Sequence, residues 1–139
     1  MADNTIETAI WKALTDEATI STIISARFYP MIAPQGTALP YMIYQQISAD
    51  RDFVLSGPTG FTHARYQLNC WATTPSGAKL LFEAVRIFWN GFSGTVLQRF
   101  IQCVMFENEM DRFEKVPGTD VLDMYGKQVD FKISFTEPT

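Results

Sequence analysis

Residues Phe61–Phe92, FTHARYQLNCWATTPSGAKLLFEAVRIFWNGF, read as one strand, a short turn and one long helix. In the strand, Ala64, Tyr66, Leu68 and Cys70 fall on one side of the pleat and His63, Arg65, Gln67 and Asn69 on the other. That period of two marks a half-buried strand. Thr74 has a side chain able to cap a helix, and Pro75 suits the first turn, where a missing N–H costs little. Ala78, Leu81, Phe82, Val85, Phe88, Trp89 and Phe92 then recur at helical spacing on one face, and Gly91 and Gly94 bracket the stop. The expectation is a helix lying across its own sheet, with Ala64, Tyr66, Leu68 and Cys70 pointing at Leu81, Phe82, Val85, Phe88 or Trp89.

Working outward, 139 residues fit one domain spanning 1–139, long enough to bury a real core. An apolar content of 47%, with 14% aromatic, argues against global disorder. The net charge of −4 argues against nucleic-acid binding through a basic surface. No apolar run approaches the length of a membrane helix, so no membrane contact is expected. The acidic start MADNTIETAIWKAL lacks the order of a secretion signal, which makes the cytosol the default place of folding. Cys70 and Cys103 sit apart in apolar strand contexts and read as buried free thiols on neighbouring strands rather than a disulfide.

Along the chain, Asn4 with Glu7 resembles a capping box ahead of an apolar stripe at Ile6, Ala9, Ile10, Ala13 and Leu14. A second short helix over Glu17–Ile24 would bury Ile20, Ile23 and Ile24. Arg27–Tyr29 is short and extended. Met31–Pro40 is a loop, because its prolines remove backbone donors. Tyr41–Ser48, Thr95–Phe106 and Val121–Thr136 read as strands. In the last, Val129, Phe131, Ile133 and Phe135 alternate with polar residues, and Gly126 suggests a bulge or kink. The order helix, helix, strands, long helix, strands suggests an α+β fold: a mostly antiparallel sheet with helices packed on one face, in a single domain.

Chemistry-bearing motifs are sparse. One histidine and two scattered cysteines make no zinc-ligand cluster, so no metal is expected. His63 and Cys70, seven residues apart on one strand, face opposite sides and cannot form a nucleophilic pair. No phosphate-binding glycine loop occurs. Gly57-Pro58-Thr59-Gly60 precedes a strand, not a helix, and reads as a turn. Asp50/Asp52 and Glu107/Glu109 read as solvated charges rather than an acid–base pair. No catalytic residue and no cofactor are therefore expected.

Three features remain. Between Glu107 and Asp123, six carboxylates face Arg112 and Lys115, which accounts for the whole net charge of −4. That segment reads as a solvated connection, or as a surface that repels DNA or meets a basic partner. The long helix also carries Leu80, Ala84 and Ile87 beyond its core stripe. The N-terminal helices packing beside it would cover them; a subunit contact is the alternative. Finally, Ala49–Gly60 reads as a mobile excursion or extended hairpin arm with an apolar centre, Phe53-Val54-Leu55, between charges and turn residues. Arg51, Asp52, Phe53, Leu55, Gly57 and Pro58 are the candidate partner interface, unless the loop folds back on its own domain.

Several stretches together resemble the tailed-phage tail completion or tail terminator family: ETAIWKAL (7–14), RFYPMIAPQGTALPYMIYQQIS (27–48), DRDFVLSGPTG (50–60), ARYQLNCWATTPSGAKLLFEAVR (64–86) and VDFKISF (129–135). The resemblance implies a non-enzymatic structural virion protein, made in the host cytoplasm and placed at the head-proximal end of the tail. It implies a ring, sixfold like the tube, that ends tube growth and joins the tail to the head connector. Its partners would be further copies of itself, the tail tube protein and the connector or stopper protein, with DNA passing through unbound. An acidic ring is compatible with that passage. The 49–60 arm would then contact an adjacent subunit or the tube protein, with Phe53 and Leu55 as anchors and Arg51 or Asp52 at the rim. A head-completion adaptor, a small enzyme and a small binding module are the other readings.

Overall fold

The computed structural model describes residues 5–34, 36–115 and 123–136. Two helices, α1 (Ile6–Asp16) and α2 (Ala18–Ile24), lead into the short strand β1 (Phe28–Pro30). The long strands β2 (Tyr41–Val54) and β3 (Gly57–Ala72) follow, then helix α3 (Pro75–Trp89). The strands β4 (Gly94–Val96), β5 (Arg99–Lys115) and β6 (Asp123–Thr136) close the chain. They form one six-stranded sheet in the order β1-β2-β3-β6-β5-β4. The β1–β2 pairing is parallel and the other four are antiparallel, so the fold is α+β with a mostly antiparallel sheet.

β3 and β6 carry the core, as their alternation requires. Their register aligns Ala64 with Ile133, Tyr66 with Phe131 and Leu68 with Val129. β5 continues the first two rows with Val104 and Phe106. Cross-strand rows of this kind are the unit of sheet stability. Phe131 stacks on Tyr66 at 5.9 Å between ring centres and meets Trp89 of α3 edge-on, also at 5.9 Å. Ala64, Tyr66, Leu68 and Cys70 are buried in the same cluster as Leu81, Phe82, Val85 and Trp89, with Phe88 packed against it. The same cluster takes in Ile10 and Leu14 of α1 and Ile20 and Ile24 of α2.

Local signals explain the helix ends. Thr74 Oγ1 accepts from Gly77 N at 3.0 Å, with Pro75 opening the first turn. At the other end Gly91, at φ 85°, donates its N–H to Val104 O at 2.7 Å, and Asn90 Oδ1 accepts from Phe106 N at 3.0 Å. The end of α3 is thereby stitched to the outer edge of β5. Helix α1 is capped by Thr5, whose hydroxyl accepts from Thr8 N; the expected cap, Asn4, lies outside the described residues. Trp11 Nε1 donates to Phe28 O at 3.0 Å and ties α1 to β1.

Several expectations are corrected. Thr95–Phe106 is two strands rather than one: Val96 pairs with Arg99, and the intervening Leu97 and Gln98 adopt left-handed φ of 49° and 68°. Such a turn usually advertises itself with Asn-Gly, which is absent here. Glu107–Lys115 is not a connection but the far half of β5, paired with β6 through Lys115↔Asp123; Asp120 and Val121 lie outside the described residues. Gly126 makes no bulge. It stays in register with Trp71 on one side and Arg112 on the other. Cys70 (β3) and Cys103 (β5) are free, but β6 separates their strands and Cys103 is only half-buried.

Candidate subunit interface

The candidate site is built on the β2–β3 hairpin. β1 pairs with β2 only as far as Tyr44, and β6 pairs with β3 only from Phe61 onward. Beyond those points the hairpin is a two-stranded arm among the described residues. Its last pairs are Phe53↔Pro58 and Val54↔Gly57, which leaves Leu55-Ser56 as a two-residue turn. This settles the excursion as a hairpin arm and corrects its detail. The turn expected over Gly57-Pro58-Thr59-Gly60 sits two residues earlier, and those four residues begin β3.

An irregularity between Arg51 and Phe53 absorbs the glycines: Arg51 pairs with Thr62 but Phe53 with Pro58. Gly57 (φ 131°) and Gly60 (φ 83°) supply backbone conformations that side chains disfavour. Thr59 Oγ1 donates to Asp52 O at 3.3 Å and accepts from Phe61 N at 3.2 Å, bracing the irregular turn of chain. The Asp52 carboxylate lies 3.9 Å from His63 Nε2, and His63 Nδ1 is 2.9 Å from Ser134 Oγ. Asp52 is therefore engaged at the root of the arm.

The arm's apolar centre is open to solvent. Phe53 is 69% exposed, Val54 57% and Leu55 fully exposed. Arg51 and Asp52 beside them are exposed as well, and of Pro58 only its backbone pairing is described. Three successive large apolar side chains in water, at the end of a two-stranded arm, make up a candidate contact surface.

The helix surface weighed in the sequence is also open. α2 lies beside α3, yet Leu80 stays 65% and Ile87 73% exposed. Between the two helices runs an apolar groove of about 720 Å³, lined by Ile23, Leu80, Ala84, Ile87 and Phe88, with Glu17 and Glu83 among its walls. Glu83 is held by Arg86 at 2.7 Å, and this hydrogen-bonded pairing lowers the carboxyl's pKa. A further exposed pair, Met31 and Ile32, follows β1. The proline-rich loop containing them carried an apolar Met-Ile signal that the sequence reading left unused.

Ion pairs tie the sheet together on both sides. On the side of β3 that carries His63 and Gln67, Arg65 reaches across β6 to Glu107 of β5 at 2.9 Å. On the α3 side, in register with Cys70, Lys127 meets Asp111 at 3.2 Å and Glu109 at 3.6 Å, and its ammonium lies 5.4 Å from the centre of the Phe82 ring. The acidic residues of β5 are thus partly neutralised within the sheet. Among the described residues no three His, Cys, Asp or Glu side chains converge on a point that could hold a metal ion, and no helix is long and apolar enough to cross a membrane.

Residues 8–104 match the family model of the Tail completion protein gp17. The chain belongs to that family. It is a structural protein of the phage tail, acting in virion assembly. The family match takes in α2, the hairpin arm, α3 and the start of β5; the acidic half of β5 and all of β6 lie beyond it. A solved chain from "Virion of native gene transfer agent (GTA) particle" is similar over 95% of both chains, with a TM-score of 0.69 at 14% identity. At that identity the likeness speaks of fold alone. No curated protein sequence matches the chain.

Proposed function

We propose that this tail completion protein is a non-enzymatic ring subunit at the head-proximal end of the tail. The ring ends growth of the tube and joins it to the head connector. In this reading residues 1–139 act as one domain, with the helices on one face of the sheet. The ring matches the tube in sixfold order, and DNA passes through it without specific binding. Its contacts are with further copies of itself, the tail tube protein and the connector, and its place is the virion. Family membership supports the tail role. The observation that carries the assembly role is the unburied Phe53-Val54-Leu55 tip on its two-stranded arm. Apolar side chains left in water at the tip of an arm gain their stabilisation only when a partner covers them. Phe53 and Leu55 are the proposed anchors, with Arg51 or Asp52 pairing at the rim and Gly57 and Pro58 within the same contact surface.

The test is the double variant Phe53→Ser, Leu55→Ser. It should remain folded with a nearly unchanged Tm, because neither side chain is part of the core, and should fail to complete tails. Unfolding, or normal tail completion, would overturn the interface.

A further inference from the structure

We infer that the groove between α2 and α3 is the receptor for the hairpin tip of a neighbouring copy of this chain, so that tip-in-groove is the repeating contact of the assembly. The inference rests on the arm being an assembly contact and adds what it docks into.

Three observations support a second copy as the occupant. First, the surfaces are complementary in shape and both apolar: a projecting tip of Phe53, Val54 and Leu55, and a concave strip bearing the exposed Leu80 and Ile87. Second, the dimensions allow entry. Phe53 is in the last paired stretch of β2 and Leu55 opens the turn, so the two span at most about 7 Å, the extended limit for two residues. Leu80 and Ile87 are seven residues apart on α3, about 10 Å along a helix axis, with the small Ala84 leaving a gap between them. The tip is therefore narrow enough to enter the gap over Ala84. Third, the charges are complementary. Arg51 lies two residues before Phe53 on the exposed arm, and the groove wall presents two carboxylates: Glu17, which accepts from Thr19 Oγ1 at 3.2 Å, and Glu83, which is paired with Arg86. A cation beside the tip meeting a carboxylate beside the groove sets orientation more than affinity.

Tip and groove are different surfaces on different elements, so the contact is heterologous. Each copy gives its tip to one neighbour and takes the tip of another, and the contact repeats until it closes. A single surface serving both roles would give a dimer instead.

The test uses the full chain with Cys103→Ser, in two single variants, Leu55→Cys and Ile87→Cys, oxidised separately and as a mixture. Disulfide dimers only in the mixture are the expected result. The doubly substituted Leu55→Cys, Ile87→Cys chain should run as a ladder of covalent multimers. A companion variant, Ile87→Asp, should keep its Tm, since that side chain is largely exposed, and lose about tenfold or more in self-association by sedimentation, because a carboxylate would be desolvated at the contact. Dimers from Leu55→Cys alone would show tip meeting tip and overturn the groove. If the unsubstituted chain associates, yet the mixture yields no disulfide and Ile87→Asp associates normally, the groove falls while the ring reading stands. If the unsubstituted chain does not associate at all and nothing cross-links, both fall.

Discussion

The indole of Trp71 occupies the space where a side chain at position 126 would begin: a Cβ built on Gly126 would come within 2.7 Å of Trp71 Cε3. The two residues face each other across β3 and β6, and Trp71 is only 5% exposed. The glycine is thus required by close approach rather than by an unusual backbone. Gly126→Ala should cost about 1–3 kcal/mol, the usual range for overpacking a tight site. Denaturant melts of Gly126→Ala, Trp71→Leu and the double variant should show a coupling of at least about 0.5 kcal/mol, because the smaller side chain makes room for the new methyl. Simple additivity would mean that the contact relaxes freely.

Leu68 is fully buried between the sheet and α3, opposite Tyr44 on β2 and Val129 on β6. Leu68→Ala should lower stability by about 2–5 kcal/mol. The loss should appear as a shift in the denaturant midpoint with an unchanged slope, since the cavity does not alter how much surface unfolds. A loss under about 1 kcal/mol would contradict the packing described.

The two thiols should behave differently. Burial pushes the Cys70 thiol up from 9.0 to about 12. In the native protein near pH 8, iodoacetamide should modify Cys103 and spare Cys70 until the chain is unfolded. The same shift predicts alkaline destabilisation. The unfolded thiol ionises near 9.0 while the folded one holds its proton to about 12. Its contribution is therefore complete below pH 9 and is lost as pH rises to 12, of the order of 1–2 kcal/mol by pH 10.5. Tyr66, raised chiefly by burial and then by Glu7, acts in the same direction. Urea midpoints at pH 8 and 10.5 check this, and equal midpoints would contradict it.

Gln98 is exposed and holds a φ of 68° in the β4–β5 turn. The left-handed conformation costs a residue with a Cβ about 1 kcal/mol, and glycine avoids that strain at some expense in unfolded-state entropy. Gln98→Gly should therefore raise stability by a few tenths to about 1 kcal/mol without changing the sheet. A destabilised variant in thermal melts would show that the Gln98 side chain makes a compensating contact.

Much of the fold was legible because the signals were local. The alternation at Ala64–Cys70 and at Val129–Phe135, and the Thr74–Pro75 helix start, need only neighbours in sequence to be read. The arm was legible for a related reason. Phe53-Val54-Leu55 is apolar between charges and turn residues, and that composition marks a surface without needing to know the fold. Its strand pairing was hidden, because Gly57, Pro58 and Gly60 imitate a turn. Only the pairing with β2 shows that they sit inside a strand, with the turn at Leu55-Ser56.

Residue patterning alone determined that Phe61–Phe92 is a strand and a helix sharing one core, and that the 49–60 segment has an apolar centre between charges and turn residues; that this centre stands exposed on a hairpin came from the structure. Tertiary structure decided what each surplus meets. It brought β6 between β3 and β5, turning Glu107 from a loop charge into the partner of Arg65. It set α2 close enough to α3 to form a groove but not to cover Leu80 and Ile87. It pressed Trp71 onto Gly126. The physical reason is the same in each case. Periodicity is written within a few residues, whereas strand order, helix spacing and close backbone approach depend on contacts between residues tens of positions apart.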